Sequence, residues 1–201
     1  MKKKGSVVQL DRISDFGSEG WGFESSLGHL FIFFFVIINL EAQTIVSEIE
    51  LPISVYETSG LEIVNNNLIT INDSGNPSNL YYLNQDGELL FRRMFNELKN
   101  NDWEDLTADE EFIYIADIGN NFDTRENLRI IKTPINPENN SFELINFYYP
   151  EQDDFSFKQL SFYDAEGLIS IGDYLFIFGS IGTLTICRFF LVSKLLPISA
   201  I

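Results

Sequence analysis

Asp102-Trp103-Glu104-Asp105-Leu106, followed after a short gap by Phe112-Ile113-Tyr114-Ile115-Ala116-Asp117-Ile118-Gly119-Asn120, is the stretch that decides the fold. An acidic residue is followed two positions later by a polar one and two further on by a leucine; a β-branched and aromatic run comes next. The same order occurs upstream as Glu57-Thr58-Ser59-Gly60-Leu61 with LITINDSGN over 68–76. It occurs again downstream as Asp164-Ala165-Glu166-Gly167-Leu168 with YLFIFGSIG over 174–182. Leu61 thus returns as Leu106 and as Leu168, at spacings of 45 and 62 residues. A repeat of this size, built of β-rich runs without a 3.6-residue period, points to sheets in series rather than to a helical solenoid.

Within the first copy, strands are expected at about 61–64, 68–73, 79–84 and 88–95, with Asp86-Gly87 closing a tight hairpin. In the second copy 128–132 and 142–149 supply the third and fourth strands, separated by Pro134, Pro137 and Asn139-Asn140. The third copy is expected to stop after two strands. The fold class is therefore all-β, an incomplete β-propeller of about two and a half four-stranded blades. The alternative is a β-sandwich of the same strands, which seldom repeats a motif in such detail. Closure of a ring of blades usually takes roughly 4 to 8 of them, so an exposed apolar face, a strand edge and association or poor solubility are expected. The segment 44–52 reads as a further strand, available to pair with a last blade.

Composition narrows the chemistry. Of 201 residues, 45% are hydrophobic and 19 are Phe, which excludes a disordered, purely solvating chain. The net charge of −17 repels phosphate backbones and anionic surfaces, so no nucleic acid partner is expected. A cation or a positively charged ligand complements such a field, although solubility alone also accounts for it. Cys187 and His29 are the sole residues of their types, which leaves no intrachain disulfide, no Cys/His zinc site and no triad built on a well-placed histidine. Any chemistry must use carboxylates, amides, hydroxyls and a few basic side chains.

The two ends read differently from the middle. Residues 1–29 are expected to be a gene-calling artefact, because the stretch 5–29 resembles the conceptual translation of a bacterial tRNA gene. Residues 30–42 carry an apolar block followed by Leu40-Glu41-Ala42, the pattern of a signal-peptide h-region with cleavage after Ala42; a buried strand is the competing reading. That leader implies export, to a secreted, periplasmic or cell-surface location, with no stable membrane span once it is cleaved. Residues 43–178 form the partial propeller. Residues 179–201 lose all acidic residues and read as a frameshifted tail.

Asp102, Glu104, Asp164 and Glu166 are the candidate ligand-binding residues, because equivalent positions of successive blades lie at one radius and height. Asp73, Glu104, Asp117 and Glu166 are the candidate metal ligands: a ring of hard oxygens suits Ca²⁺, which takes roughly 6 to 8 of them. A spacing of two puts Asp102 and Glu104 on one face of an extended chain, as it does Asp164 and Glu166, with each acidic pair expected in the loop before its strand. Turn chemistry is the plainer account of Asp73 and Asp117, where Gly75 and Gly119 two positions on would allow a left-handed turn. Trp103 is read as core. Arg92, Arg93, Arg125 and Arg129 either pair with carboxylates or grip an anionic substrate.

The motifs SGL, NDSGN, DWEDL, ADIGNN and DAEGL, spread over roughly 120 residues, resemble bacterial secreted propellers related to the SdiA-regulated and esterase-like phytase groups. The resemblance implies a propeller of the six-bladed type, export, and calcium in or near the axis, but no single activity. The expected function is a calcium-assisted extracellular binding module for an unknown ligand; the alternative is a metal-dependent phosphoesterase of the phytase-like sort. The acidic clusters contain no basic residue to hold a phosphate, which favours binding.

Overall fold

The computed structural model describes residues 48–181 and 184–195. The expected artefact at 1–29 and leader at 30–42 lie outside them. Eleven strands are described: β1 Thr58–Val64, β2 Asn67–Asn72, β3 Asn79–Leu83, β4 Leu89–Met94, β5 Trp103–Ala108, β6 Phe112–Asp117, β7 Arg129–Pro134, β8 Glu143–Asn146, β9 Asp164–Ile171, β10 Tyr174–Ile181 and β11 Leu184–Ser193. They form three antiparallel sheets, in the orders β1-β2-β3-β4, β5-β6-β7-β8 and β9-β10-β11, and no sheet closes into a barrel. One 3-10 turn, Ile53–Val55, precedes β1 and buries Val55. Residues 48–52, expected to belong to a strand, pair with no sheet.

The third copy, expected to stop after two strands, has a third in its sheet, β11, which lies within 179–201 and pairs along the length of β10. Strand formation depends on β-branched and aromatic side chains alternating across a pleat, not on acidic content. The tail keeps that alternation: Phe190 and Val192 face the core while Phe189 and Leu191 face out.

β6 explains why the central runs are continuously apolar rather than alternating. Ile113 and Ile115 pack with Ile69, Ile71, Leu80 and Tyr82 of the first sheet. Tyr114 and Ala116, one residue out of phase, pack with Ala165, Leu168, Leu175 and Ile177 of the third. The second sheet is thus covered on both faces, the condition under which a strand loses its polar side. Trp103, expected in the core, is fully buried there, and each such large side chain contributes roughly 1.5–3 kcal/mol.

The three first strands lie side by side, β1 against β5 and β5 against β9. Polar groups fasten them where side chains would otherwise hold the sheets apart. Ser59 Oγ donates to the Trp103 carbonyl at 2.8 Å. Asp105 Oδ1 accepts from the Leu106 N–H and Oδ2 from the Leu168 N–H, each at 2.8 Å. Gly60 permits the approach on the other side, since a Cβ there would lie 2.8 Å from the Leu106 nitrogen. Farther out, Arg93 of β4 donates to the Pro134 carbonyl at 2.7 Å and to Thr133 and the Asn139 carbonyl. That guanidinium is committed to joining two sheets.

Pairing sets a common register. Leu61 faces Thr70, Leu106 faces Ile115 and Leu168 faces Ile177, each pair nine residues apart across a two-residue hairpin. The first hairpin turns on Asn65 and Asn66, both at positive φ (49° and 68°), the requirement of a type I′ turn. Structural equivalence therefore runs Asn72, Asp117, Gly179, one residue out of step with an alignment of LITINDSGN on FIYIADIGN. Asp73 and Asp117 are not counterparts. Leu106 and Leu168 are 2% and 3% exposed because each points at the preceding sheet; Leu61 is 60% exposed because no sheet precedes it among the described residues.

Replacing Asp105 by alanine strips two backbone N–H groups of a shared acceptor. We expect a loss of about 2 kcal/mol in urea unfolding, with Asp105→Asn recovering part of it through the one carbonyl oxygen it retains.

Candidate functional site

Each first strand carries a β-bulge at the same place. The pairing skips Ser59 between Thr58 and Gly60, Glu104 between Trp103 and Asp105, and Glu166 between Ala165 and Gly167. A bulge leaves one residue unpaired and re-aims its side chain. Glu104 and Glu166 are thus within strands, not in the loops that precede them, and the bulge is what turns them together. After burial, Glu166 is the strongest influence on the Glu104 carboxyl, as expected of neighbouring acids.

Two asparagines bring the neighbouring acids in. Asn100 Nδ2 donates to the Asn72 and Asp73 carbonyls at 3.0 and 2.9 Å, while its Oδ1 accepts from the Trp103 N–H at 3.1 Å. This clamp holds the end of β2 against the start of β5, and Asp73 beside Asp102. The Asn120 N–H donates to Asp164 Oδ1 at 2.7 Å, and Ser161 Oγ donates to the Asn120 carbonyl at 3.0 Å, which fixes the start of β9 against the end of β6. Asp73, Asp102 and Glu104 present oxygens all within 4.8 Å of one another; Glu166 adjoins through Glu104, and Asp164 lies near enough to act on Asp102.

Gly119 completes the wall. It is not left-handed, in contrast to Gly75 at φ +79°. A Cβ at Gly119 would run into the carboxylates of Glu104 and Asp102. The missing side chain makes room for them, a role different from the turn expected of it. Asn121 Nδ2 reaches Asp102 Oδ2 at 3.4 Å on the rim.

Asp117 does not join the well. It is fully buried and its two oxygens are taken, Oδ1 by Arg125 and Oδ2 by Arg129, each at 2.8 Å. Asn101 and the Asp102 N–H bond to the same carboxylate. The register explains the difference: Asp117 occupies the position of Asn72, within the pairing, whereas Asp73 lies one residue beyond it. Arg125 is tied further to the Asp117 and Gly119 carbonyls, and Arg129 to that of Lys99. Both arginines brace the floor of the well rather than present themselves to a ligand.

Burial and like charge act together on the acids. The Glu104 carboxyl is pushed up to about 9, first by burial and then by Glu166, Asp102 and Asp73. Asp102 is raised, chiefly by burial, against the pull of a Ser74 hydrogen bond and of Arg125. Asp164 is raised for the same first reason, with Glu166 adding to it. Burial and the neighbouring acids thus make the Glu104 carboxyl hold its proton more tightly than an exposed one does.

Asp73, Asp102 and Glu104 can each offer one carboxylate oxygen to a common point between them. All donors are hard carboxylates, with no histidine or cysteine among them. Of the residues to which the sequence pointed, Asp73, Asp102 and Glu104 cluster, Glu166 lies beside Glu104 and Asp164 near Asp102, and Asp117 is held apart by its arginines. The sequence missed Asn100 and the packing role of Gly119, and it took Asn120 for a turn residue; their only signal is their place immediately beside acidic motifs.

Comparison of the chain with protein-family models, curated proteins and solved structures finds no match.

The raised Glu104 pKa has a pH signature. The folded chain binds a proton here that the unfolded chain releases near 4.5, so this stabilisation is full below about 4.5 and is lost as pH rises toward 9. Thermal melts across that range in metal-free buffer are expected to fall less steeply for Glu104→Gln than for the parent chain.

Proposed function

We propose that the three sheets are consecutive wedges of an exported β-propeller, and that the acidic well binds calcium as part of an extracellular binding module. The observation that carries this reading is the repeated bulge, which aims Glu104 into a cluster with Asp73 and Asp102 and sets Glu166 of the neighbouring strand beside Glu104. Side-by-side first strands in three face-packed sheets support the propeller reading, because that is how blades adjoin around an axis. A net charge of −17 supports a cationic occupant over a phosphate.

A phosphoesterase is less well supported. Catalysis on a phosphate monoester requires positive charge facing the leaving and attacking oxygens. Arg125 and Arg129 are instead paired with Asp117. Among the described residues no helix is long and apolar enough to cross a membrane.

Calcium titration of the purified chain, followed by thermal melting, tests the reading. Calcium at 100 times its Kd is expected to stabilise the fold by about 2.7 kcal/mol, reversed by chelator and abolished in Asp102→Asn. Binding should release a proton near neutral pH, visible as calorimetric heats that change with the ionisation enthalpy of the buffer. A melting temperature unmoved by calcium rejects the site. Turnover of a generic phosphate monoester that disappears in Glu104→Gln replaces the binding module with the enzyme.

A further inference from the structure

Two loops meet beside the well and turn phenylalanines outward. One, 118–128, joins β6 to β7, and the other, 147–163, joins β8 to β9. Asp123, 1% exposed, fastens them: its carboxylate accepts from Ser161 Oγ, from the Phe162 N–H at 3.0 Å and from the Tyr163 N–H at 3.1 Å. Gln152 Nε2 donates to the Asp123 carbonyl at 2.8 Å, and the Lys158 N–H to the Phe122 carbonyl at 3.0 Å. Across this join Phe122 and Phe157 stack, their ring centroids 4.9 Å apart and their planes 22° from parallel. The two rings are nevertheless 50% and 67% exposed, and Leu160 and Phe162 of the same loop are 50% and 49% exposed. Polar bonds already hold the loops together, and a pair serving only as glue would be buried. These rings are instead held open to solvent on a fixed support.

Charge around the pair is one-sided. The basic side chains of the two loops are committed, Arg125 to Asp117 and Lys158 to Asp154, while Glu126, Glu151 and Asp153 are exposed. Asn121, next to Phe122 in the chain, reaches Asp102 of the well. The face of an aromatic ring is the negative part of its quadrupole, so ring faces and carboxylates draw the same kind of group. An anion would face those carboxylates, and a purely apolar ligand would leave them unused.

We infer that this patch binds an organic cation with an apolar body, an ammonium group on an aryl or alkyl chain, the body against the exposed rings and the ammonium on their acidic side. Because the Asp123 bonds fix the loops in advance, binding orders little of the chain. The inference names a kind of ligand for the binding module proposed above and rests on that reading, but the patch itself uses no calcium.

NMR titration of the isotope-labelled full chain, in buffer with chelator, tests it with phenethylammonium and two partial mimics. Phenethyl alcohol keeps the ring and loses the charge; ethylammonium keeps the charge and loses the ring. Phenethylammonium is expected to bind, moving the amide signals of Phe122 and Phe157, and both mimics to bind more weakly. Phe157→Leu, at an exposed position, keeps apolar bulk and removes a ring face, so it should weaken phenethylammonium roughly 2- to 30-fold and leave the alcohol little changed. Added salt should weaken the ammonium compounds alone. Failure of phenethylammonium to bind overturns the inference, as does an alcohol bound as tightly, or a Phe157→Leu chain that binds the ammonium as the parent does. With calcium chelated, each of these results leaves the calcium reading to its own titration.

Discussion

β5 lies between β1 and β9 at backbone-to-backbone range, and the Asp105 carboxylate bonds simultaneously to its own strand and to the Leu168 N–H of the next. Packed sheet faces ordinarily stand about 10 Å apart. At their first strands these sheets come much closer, because Gly60 offers no side chain and Ser59 and Asp105 offer hydrogen bonds in place of apolar bulk. The first strands thus approach closely, while aliphatic and aromatic side chains pack between the sheets farther out. That approach also sets the bulged residues of adjacent strands within reach of one another.

The acidic well follows from the same constraint. Unscreened carboxylates repel, and nothing in a hydrophobic core would draw Glu104 and Glu166 together. They meet because the bulge and the strand spacing place them there, and the energetic consequence is a proton held well above the usual carboxylate range. Titratable groups shifted by burial and by one another, gathered in one place, are a feature of functional sites. The paired arginines beneath, bound to Asp117, stiffen the floor without neutralising the mouth.

Much of this was legible in the residues, and the misses have identifiable causes. Alternating and continuous apolar runs marked the strands, and the recurring acidic–polar–leucine order marked their equivalence. Asp117 misled because DSG and DIG look alike in a chain alignment, while the register that separates them is set by hairpins whose turns, Asn65-Asn66 among them, carry no weight in such an alignment. β11 was missed because its change in charge was taken as a change in structure, although its alternation persisted. The bulges were invisible because a bulge is a relation between two strands, and Glu104 alone looks like any other acidic residue before a strand.

The most direct test of convergence is a double-mutant cycle on calcium affinity, measured by calorimetry for the parent chain, Glu104→Gln, Glu166→Gln and the pair. Glutamates from two sheets that share one ion should be coupled: each single change weakens calcium, and the double change costs markedly less or more than their sum. Strictly additive effects, or a Glu166→Gln chain that binds calcium as the parent does, would contradict a site assembled between neighbouring first strands.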